Sequence, residues 1–322
     1  MDSKKKILEV EHLSKYFKAG KKIIAAVDDV SFYIYEGETF GIVGESGCGK
    51  TTCGRTAIGM YDKTSGNVMF EGKDVHSLEG KERKEFTKEV QIIMQDPYAS
   101  LDPMMKVRDI IAEGLKAHNM CNSKEEMYAK VRELLKKVGL HASDEMRYAH
   151  EFSGGQRQRI GIARALAMEP SFIVCDEPIS ALDVSVQAQI INLLIELQKE
   201  KQLTYLFIAH DLSMVKYISN RIAVMYLGNI VELGESSNLY RTPLHPYTQA
   251  LLSAVPSPDP KAEEKKQRIK LSGECATCLL DEKGCRFINR CKYAKEICYE
   301  IKPQLIEKED GHFVACHLYG KK

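Results

Sequence analysis

The sequence of 322 residues predicts an α/β fold with a largely parallel sheet, and three observations carry this prediction. Two short apolar runs, 171–175 and 203–209, have the length and continuity of strands that are buried on both faces. Between them, apolar residues from Val186 to Leu197 recur with helical spacing. A glycine-rich loop follows a further apolar run, 40–43. Helices that alternate with buried strands are typical of an α/β sheet.

The other elements follow from the same patterns in chain order. Residues 7–43 contain alternating or branched apolar segments around two turn signals and indicate strands. A helix is expected from about Lys50. The pattern at 107–139 is helical, and Ser123 opens a predicted capping box there. Further short strands are expected at 90–94 and 224–233.

Length and composition limit the classes of protein. At about 150 residues per domain, the length allows roughly two domains. The 46 Lys and Arg against 45 Asp and Glu leave a net charge of +1, so no nucleic-acid partner is expected. The sequence contains no apolar run of the roughly 18 residues that a spanning helix needs and no signal peptide. We therefore expect the chain to stay in the cytosol.

The strongest chemical signal is the loop GESGCGKT, which matches the phosphate-binding pattern G-x-x-x-x-G-K-[ST]. It lies between a predicted strand and a predicted helix, as the pattern requires. Lys50 is expected to reach the β- and γ-phosphates, and the Thr51 hydroxyl to coordinate Mg²⁺. The candidate nucleotide-binding residues here are Gly44, Glu45, Ser46, Gly47, Cys48, Gly49, Lys50, Thr51 and Thr52.

Two adjacent carboxylates, Asp176 and Glu177, end a predicted buried strand. Asp176 at the strand tip is expected to hold the Mg²⁺ shell. Glu177 is expected to polarise a water molecule against the γ-phosphate. A carboxylate pair at this point fits phosphoryl transfer better than a solvated turn.

A second phosphate-binding turn is predicted where Ser153, Gly154, Gly155 and Gln156 precede the helix 157–168. A helix N-terminus offers free N–H groups and a positive dipole end to an anion. One chain then has two such turns for one nucleotide. We therefore expect two chains to enclose ATP, each supplying its glycine loop to one nucleotide and this turn to the other.

In this order, the three motifs resemble those of the ATP-binding subunits of ABC transporters, across about residues 7–255. The resemblance implies a P-loop NTPase cassette that binds ATP and Mg²⁺ and occupies 1–255. It implies a RecA-like core, an antiparallel β subdomain and an α-helical subdomain at about 97–170.

Further positions match the pattern of these subunits. Gln95 resembles the Q-loop residue that contacts Mg²⁺ and water, and Asp183 lies in a segment similar to the D-loop. His210 resembles the switch histidine that contacts the γ-phosphate. Phe17 aligns best with the aromatic residue that stacks on adenine, with Tyr16 as the alternative. The catalytic residues implied are Lys50, Gln95, Glu177 and His210. The Mg²⁺ ligands implied are Thr51, Gln95 and Asp176.

The remainder, 256–322, points to a subfamily. Its first part, 256–270, is rich in proline and charge and indicates a linker. With the preceding LHPYTQALL, the Cys-rich part resembles the oligopeptide/dipeptide importers. The earlier run CDEPISALDVSVQAQIINLL resembles their F-type ATPase subunit rather than the D-type partner. This implies a second, non-identical ATPase subunit, two integral-membrane permease subunits and an extracytoplasmic substrate-binding protein. It also implies a peripheral place on the cytoplasmic face of the cell membrane. Nickel and glutathione importers share the architecture, so the ligand stays open.

A cysteine cluster in a reducing cytosol favours a metal site over disulfides. Four cysteines match those of the subfamily and imply a [4Fe–4S] cluster, although four thiolates can equally hold zinc. These four are Cys285, Cys291, Cys298 and Cys316. Cys275 and Cys278 add a C-x-x-C that could compete for metal. His312 and His317 are expected to be polar surface residues rather than ligands.

Three other function classes fit the sequence less well than an importer does. A soluble ABC ATPase of DNA repair would carry long coiled coils before Ser153, and sustained heptads are absent there. A translation factor would carry two cassettes, whereas this sequence has one glycine loop. An electron-transfer protein built on the tail cysteines leaves 7–255 unexplained.

Overall fold

The computed structural model describes residues 5–256, 268–271, 280 and 283–320. The chain divides into two compact units. The first unit comprises Met1–Tyr35, Thr39–His76 and Ala209–Lys322, and the second comprises Glu36–Glu38 and Ser77–Ile208. The division at residue 255 that motif content indicates stays a prediction.

Four antiparallel strands form one sheet of the first unit, in the order β2, β1, β4, β5. They are β1 (Lys6–Ala19), β2 (Lys22–Tyr35), β4 (Ser65–Phe70) and β5 (Lys73–Asp74). Along β2, buried positions alternate with more exposed ones, so one face of the strand packs on the core. This sheet is the antiparallel part of the cassette that the resemblance implies.

A second group of strands in the first unit carries the glycine loop. They are β3 (Thr39–Val43), β9 (Arg221–Tyr226), β10 (Asn229–Glu235), β11 (Ile306–Glu309) and β12 (His312–Val314). β3 is fully buried and runs parallel to β9, and β10 pairs with β9 in the antiparallel sense. The helices of this unit are α1 (Lys50–Ala57), α7 (Leu212–Ile218), α8 (Ser236–Arg241), α9 (Pro246–Ala254) and α10 (Ile297–Glu300).

Three parallel strands organise the second unit. They are β6 (Val90–Ile93), β7 (Phe172–Asp176) and β8 (Thr204–Ala209), with β7 paired to both neighbours. All residues of β7 and β8 are buried, as their apolar runs predict. The helices are α2 (Gly80–Glu89), α3 (Val107–Ala117), α4 (Lys124–Lys137), α5 (Gly154–Leu166) and α6 (Val184–Lys201).

Two helix starts in this unit show how the caps act. The Ser123 hydroxyl accepts the amide of Glu126 at 3.1 Å, but the Glu126 carboxylate accepts from Asn122, so only half of the predicted capping box forms. Helix α5 begins before the predicted start at 157, because Ser153 caps it and exchanges hydrogen bonds with Gln156.

The Cys-rich tail contributes two strands that the sequence did not indicate. β11 and β12 form an antiparallel pair, and β12 pairs with β10 through Glu232↔Val314 and Leu233↔Phe313. The tail therefore adds its backbone hydrogen bonds to the edge of β10.

The expectation that His312 lies on the surface is wrong. His312 is 1% exposed, and its Nε2 lies 2.8 Å from the carboxylate of Glu232, which is fully buried. The same carboxylate accepts the backbone amides of Leu244 and His245, both at 2.8 Å. A buried carboxylate needs such donors to offset its lost hydration. Glu232 thus joins β10, the segment before α9 and the tail.

Among the helices of the described residues, none combines the length and the apolarity that a bilayer crossing requires.

Candidate functional site: a nucleotide-binding cassette

The glycine loop connects β3 to α1 in the first unit. A Cβ on Gly49 would lie 2.0 Å from the Ala26 carbonyl oxygen, and one on Gly44 would lie 2.2 Å from that of Met225. Only glycine fits at these two positions, because the loop passes directly against neighbouring backbone. The close contacts with neighbouring backbone thereby restrict the conformation of the loop.

Lys50, the candidate phosphate-binding lysine, bonds to the backbone of its own loop. Its side chain is buried, and Nζ donates to the carbonyl oxygens of Gly44 at 2.9 Å and Glu45 at 3.0 Å. The ammonium group therefore lies inside the loop. Thr51 and Thr52 follow in the first turn of α1 and are half-buried.

The two aromatic candidates for adenine differ in accessibility. Phe17 is 37% exposed and has an edge contact with Tyr61 at 6.1 Å between ring centroids. Tyr16 is half-buried, and its hydroxyl donates to Asp28 at 2.7 Å. An exposed ring can stack on a base, so the structure favours Phe17.

Replacing Phe17 with alanine is expected to weaken MgATP binding by about 1–3 kcal/mol, the typical contribution of one base–aromatic stack. Phe17→Tyr keeps the ring and should bind MgATP like the parent chain. Calorimetric titration of the three chains measures the difference. Equal affinities for Phe17→Ala and the parent would contradict the role of Phe17.

The carboxylate pair lies at the end of β7 in the second unit. Asp176 is fully buried, and Glu177 is 9% exposed. Gln95 donates from Nε2 to the Glu177 carboxylate at 2.9 Å. The sequence did not predict this contact between Gln95 and Glu177. The amide oxygen of Gln95 is a ligand of the kind that Mg²⁺ prefers.

Glu177 has a strained backbone. Its φ of 46° lies in the left-handed region, which costs a non-glycine residue about 1–3 kcal/mol. Hydrogen bonds on both sides hold this backbone: the Glu177 amide donates to the Ile208 carbonyl at 3.0 Å, and the Glu177 carbonyl accepts from the Ser180 hydroxyl at 3.1 Å and the Ser180 amide at 3.2 Å. Strain that is maintained in this way is typical of functional residues.

The Ser153 turn lies on the surface of the second unit, with Ser153 and Gln156 exposed. A Cβ on Gly155 would lie 2.5 Å from Val186 Cγ1, so the turn packs closely on the start of α6. The N-terminus of α5 is thus accessible, as an anion site requires.

The two remaining candidates lie at the ends of other elements. Asp183 is exposed at the start of α6 in the second unit. His210 belongs to the first unit, where it is exposed directly after β8. Asp211 then caps α7 by accepting the Ser213 amide at 2.7 Å.

The four matching tail cysteines line one small cavity. Cys285, Cys291, Cys298 and Cys316 share it with apolar neighbours such as Phe287. Burial raises the pKa of the Cys285 thiol and the nearby thiols add to this rise, whereas a hydrogen bond with the Phe287 backbone opposes it; together they bring the pKa to about 11. Within the described ranges, no group of three or more His, Cys, Asp or Glu side chains is placed so that it could hold a metal ion. Cys275 and Cys278 lie outside the described residues.

Several contacts at this site were missed by sequence reasoning. The Tyr247 hydroxyl accepts the backbone amide of Glu45 at 2.9 Å. Two tail arginines, Arg286 and Arg290, form ion pairs with Asp28 and Glu45. In the sequence, each of the two arginines lies next to a tail cysteine, but this position does not identify the carboxylate that the arginine binds.

Two family models match this chain. The ABC transporter family model matches residues 27–180, and the model of the oligopeptide/dipeptide transporter C-terminal region matches residues 231–298. The ATP-binding cassette MJ0796, solved as a dimer in a post-hydrolysis state bound to ADP and Pi, is 28% identical with a TM-score of 0.64, covering 71% of this chain and 98% of that one.

Two curated relatives are more similar. The oligopeptide transport ATP-binding protein AppF of Bacillus subtilis is 54% identical over 322 residues, which covers 98% of each chain. The dipeptide transport ATP-binding protein DppF of Lactococcus lactis is 57% identical over 272 residues, which covers 84% of this chain and 87% of the relative. The chain therefore belongs to the family of ABC transporter ATP-binding proteins, in its oligopeptide/dipeptide branch.

Proposed function

We propose that this chain is the ATP-hydrolysing subunit that powers an ABC importer of oligopeptides or dipeptides. The match of its C-terminal region to the oligopeptide/dipeptide model carries the choice of transporter. The names of the relatives AppF and DppF support peptides over nickel or glutathione. Coupling to transport, rather than a soluble ABC ATPase, is supported by the same C-terminal region.

The chemistry follows from residues within each unit. The glycine loop and Lys50 bind the β- and γ-phosphates, because their N–H and ammonium groups offset the phosphate charge. Glu177 accepts a proton from the attacking water, and Gln95 orients its carboxylate. The oxygen donors of Thr51, Gln95 and Asp176 suit Mg²⁺, which neutralises developing charge on the phosphates when it is bound. His210 contacts the γ-phosphate.

The assembly that we propose has two ATPase chains. One supplies the glycine loop and the other supplies the Ser153 turn to the same nucleotide. The exposure of the Ser153 turn supports this arrangement, as does the dimeric cassette MJ0796. In this branch we propose a non-identical partner ATPase, two permeases and an extracytoplasmic binding protein, with this chain peripheral on the cytoplasmic face of the membrane.

Peptide uptake tests the proposal directly. The chain is co-expressed with a partner ATPase and permeases of its own genome, reconstituted in liposomes, and supplied with binding protein and labelled tripeptide. We expect ATP-dependent uptake that stops when the chain carries Glu177→Gln. Uptake of nickel or glutathione in place of peptide would contradict the assigned ligand, and ATPase activity that no permease affects would contradict coupling.

We also propose that the tail cysteines hold a [4Fe–4S] cluster. Four thiols share one cavity with apolar walls, and such a site suits cysteine-ligated iron–sulfur chemistry. The bound cluster would stabilise a tail that is too short to bury a core of its own.

Metal analysis of anaerobically purified chain tests this proposal. We expect about four iron atoms and matching acid-labile sulfide per chain. Cys298→Ser should remove most of the iron. Cys121→Ser changes a cysteine that lies outside the tail and should retain it. Stoichiometric zinc without iron would show that the cluster assignment is wrong.

A further inference from the structure

The Cys-rich tail forms an ion pair with the glycine loop. Arg290 binds the Glu45 carboxylate with both terminal nitrogens, at 2.5 Å and 3.0 Å. The arginine side chain is only 8% exposed. Glu45 belongs to the glycine loop, where its carbonyl accepts from Lys50 and its amide donates to Tyr247. The tail therefore contributes one of the contacts that hold this loop residue.

A second ion pair reaches Asp28 in β2, the strand that pairs with the β1 strand carrying the adenine candidate Phe17. Arg286 Nη2 lies 2.6 Å from Asp28 Oδ2, and Lys302 Nζ lies 2.7 Å from the same oxygen. The other oxygen of Asp28 accepts from the Tyr16 hydroxyl, next to Phe17 in β1. Burial raises the pKa of Asp28, but the hydrogen bonds from Lys302 and Tyr16 and the charge of Arg286 outweigh it, so the pKa lies below its ordinary value.

Both arginines lie on one short, anchored segment. Arg286 follows Cys285, and Arg290 precedes Cys291, in the sequence CRFINRC. Between them Phe287 is buried, with its ring centroid 5.2 Å from that of Tyr226 and 5.5 Å from that of Tyr247. The position of each arginine is therefore tied to the packing of the segment and to its cysteines.

We propose that this segment, residues 285–291, acts as a brace that preorganises the nucleotide-binding surface, with Arg286 and Arg290 as positioning residues. Arg290 positions the glycine loop, which is proposed to bind the phosphates, through Glu45. Arg286 positions the part of the surface around Phe17, the adenine candidate, through Asp28 and Tyr16. A surface already held in its binding conformation loses less entropy when the ligand binds, and MgATP affinity therefore depends on the tail. This inference rests on the proposed binding of ATP at the glycine loop.

The coupling is reciprocal. If the brace raises the affinity for MgATP, MgATP must stabilise the brace by the same free energy. Bound nucleotide is therefore sensed at the cysteine cavity, because Cys285 and Cys291 adjoin the two arginines. The tail then has a role in the ATP cycle beyond holding a metal group.

A double-mutant cycle on the full-length chain tests the brace. In the Glu177→Gln background, calorimetric titration with MgATP should show Arg290→Gln raising Kd about tenfold, within the usual range of coupling between sites. Arg290→Lys should recover part of the loss. Adding Glu45→Gln to Arg290→Gln should weaken binding no further, because the two side chains act as one pair. Arg286→Gln should also raise Kd, and Lys308→Gln, on the exposed β11, is the matched control.

Hydrogen exchange distinguishes the brace from a merely structural role, because a structural role predicts no effect of MgATP on amide exchange in the tail. MgATP should slow amide exchange in residues 283–302 of the parent chain, and this protection should be lost in Arg290→Gln. The brace would be overturned if the arginine variants bound MgATP like the parent, or if the effects of Arg290→Gln and Glu45→Gln on Kd multiplied independently. It would also be overturned if MgATP did not change amide exchange in the tail. A parent chain that does not bind MgATP would instead contradict the proposed function, so the two failures are distinguishable.

Discussion

Replacing Glu177 with glutamine is expected to leave MgATP binding intact and to lower ATP hydrolysis by about 10²–10⁴-fold, the usual contribution of a positioned general base. Glutamine has nearly the same shape and can still hydrogen-bond to Gln95, but it cannot accept a proton from water. Steady-state phosphate release by the assembled complex, together with calorimetric MgATP affinity, measures both effects.

The control for this substitution is a carboxylate of similar sequence context. Glu169 also has a positive φ, of 51°, and follows a helix in the same unit. Glu169→Gln should retain hydrolysis at the parent rate. A Glu177→Gln complex with full ATPase activity would assign the general base to another residue.

Replacing Ser153 with arginine is expected to abolish ATP-dependent pairing of the two ATPase chains while the chain still binds MgATP by itself. The hydroxyl at the N-terminus of α5 is exposed, so the substitution should cost the fold about 1 kcal/mol, as loss of a helix cap does. A long side chain at this point would obstruct the anion site of the turn. Light scattering with a partner chain and MgATP, and the ATPase rate of the assembled complex, measure the effect.

Ser123 provides a closely matched control. It caps α4 through the same kind of hydrogen bond, with its hydroxyl accepting the Glu126 amide, and it is also exposed. Ser123→Arg should lose similar stability but keep pairing and hydrolysis. If the Ser153→Arg chain pairs with its partner and hydrolyses ATP as the Ser123→Arg chain does, the Ser153 turn does not contact nucleotide in the working assembly.

The residues of the nucleotide site could be predicted because their signals are local. A buried strand, a glycine loop and a helix start lie within a few residues of one another around Lys50. Similarly, the buried run of β7 ends at Asp176. Ser153 caps helix α5, which begins at the next residue. The hydrogen bond between Gln95 and Glu177 could not be predicted, because 82 residues separate the two in the sequence.

The structure of the tail could not be predicted in the same way, since its strands and side chains are held by residues that are distant in the sequence. β12 has three residues, too few for a periodic pattern, and it is defined by pairing with β10. His312 is buried because it hydrogen-bonds to the buried carboxylate of Glu232, which lies 80 residues away in the sequence. The Arg290–Glu45 pair spans 245 residues. A charged residue in the sequence does not indicate which distant charge it will meet.

The pairing of early with late strands also has a consequence for biosynthesis. β3 acquires its neighbour β9, and β10 its neighbour β12, only after the ribosome has made most of the chain. At roughly 5–20 residues per second, the interval between β3 and β12 is on the order of ten to fifty seconds. The second unit, nearly continuous in the chain, can fold during that interval. Until its partner strands are made, nascent β3 exposes the apolar side chains of Phe40, Ile42 and Val43, and this exposure favours aggregation.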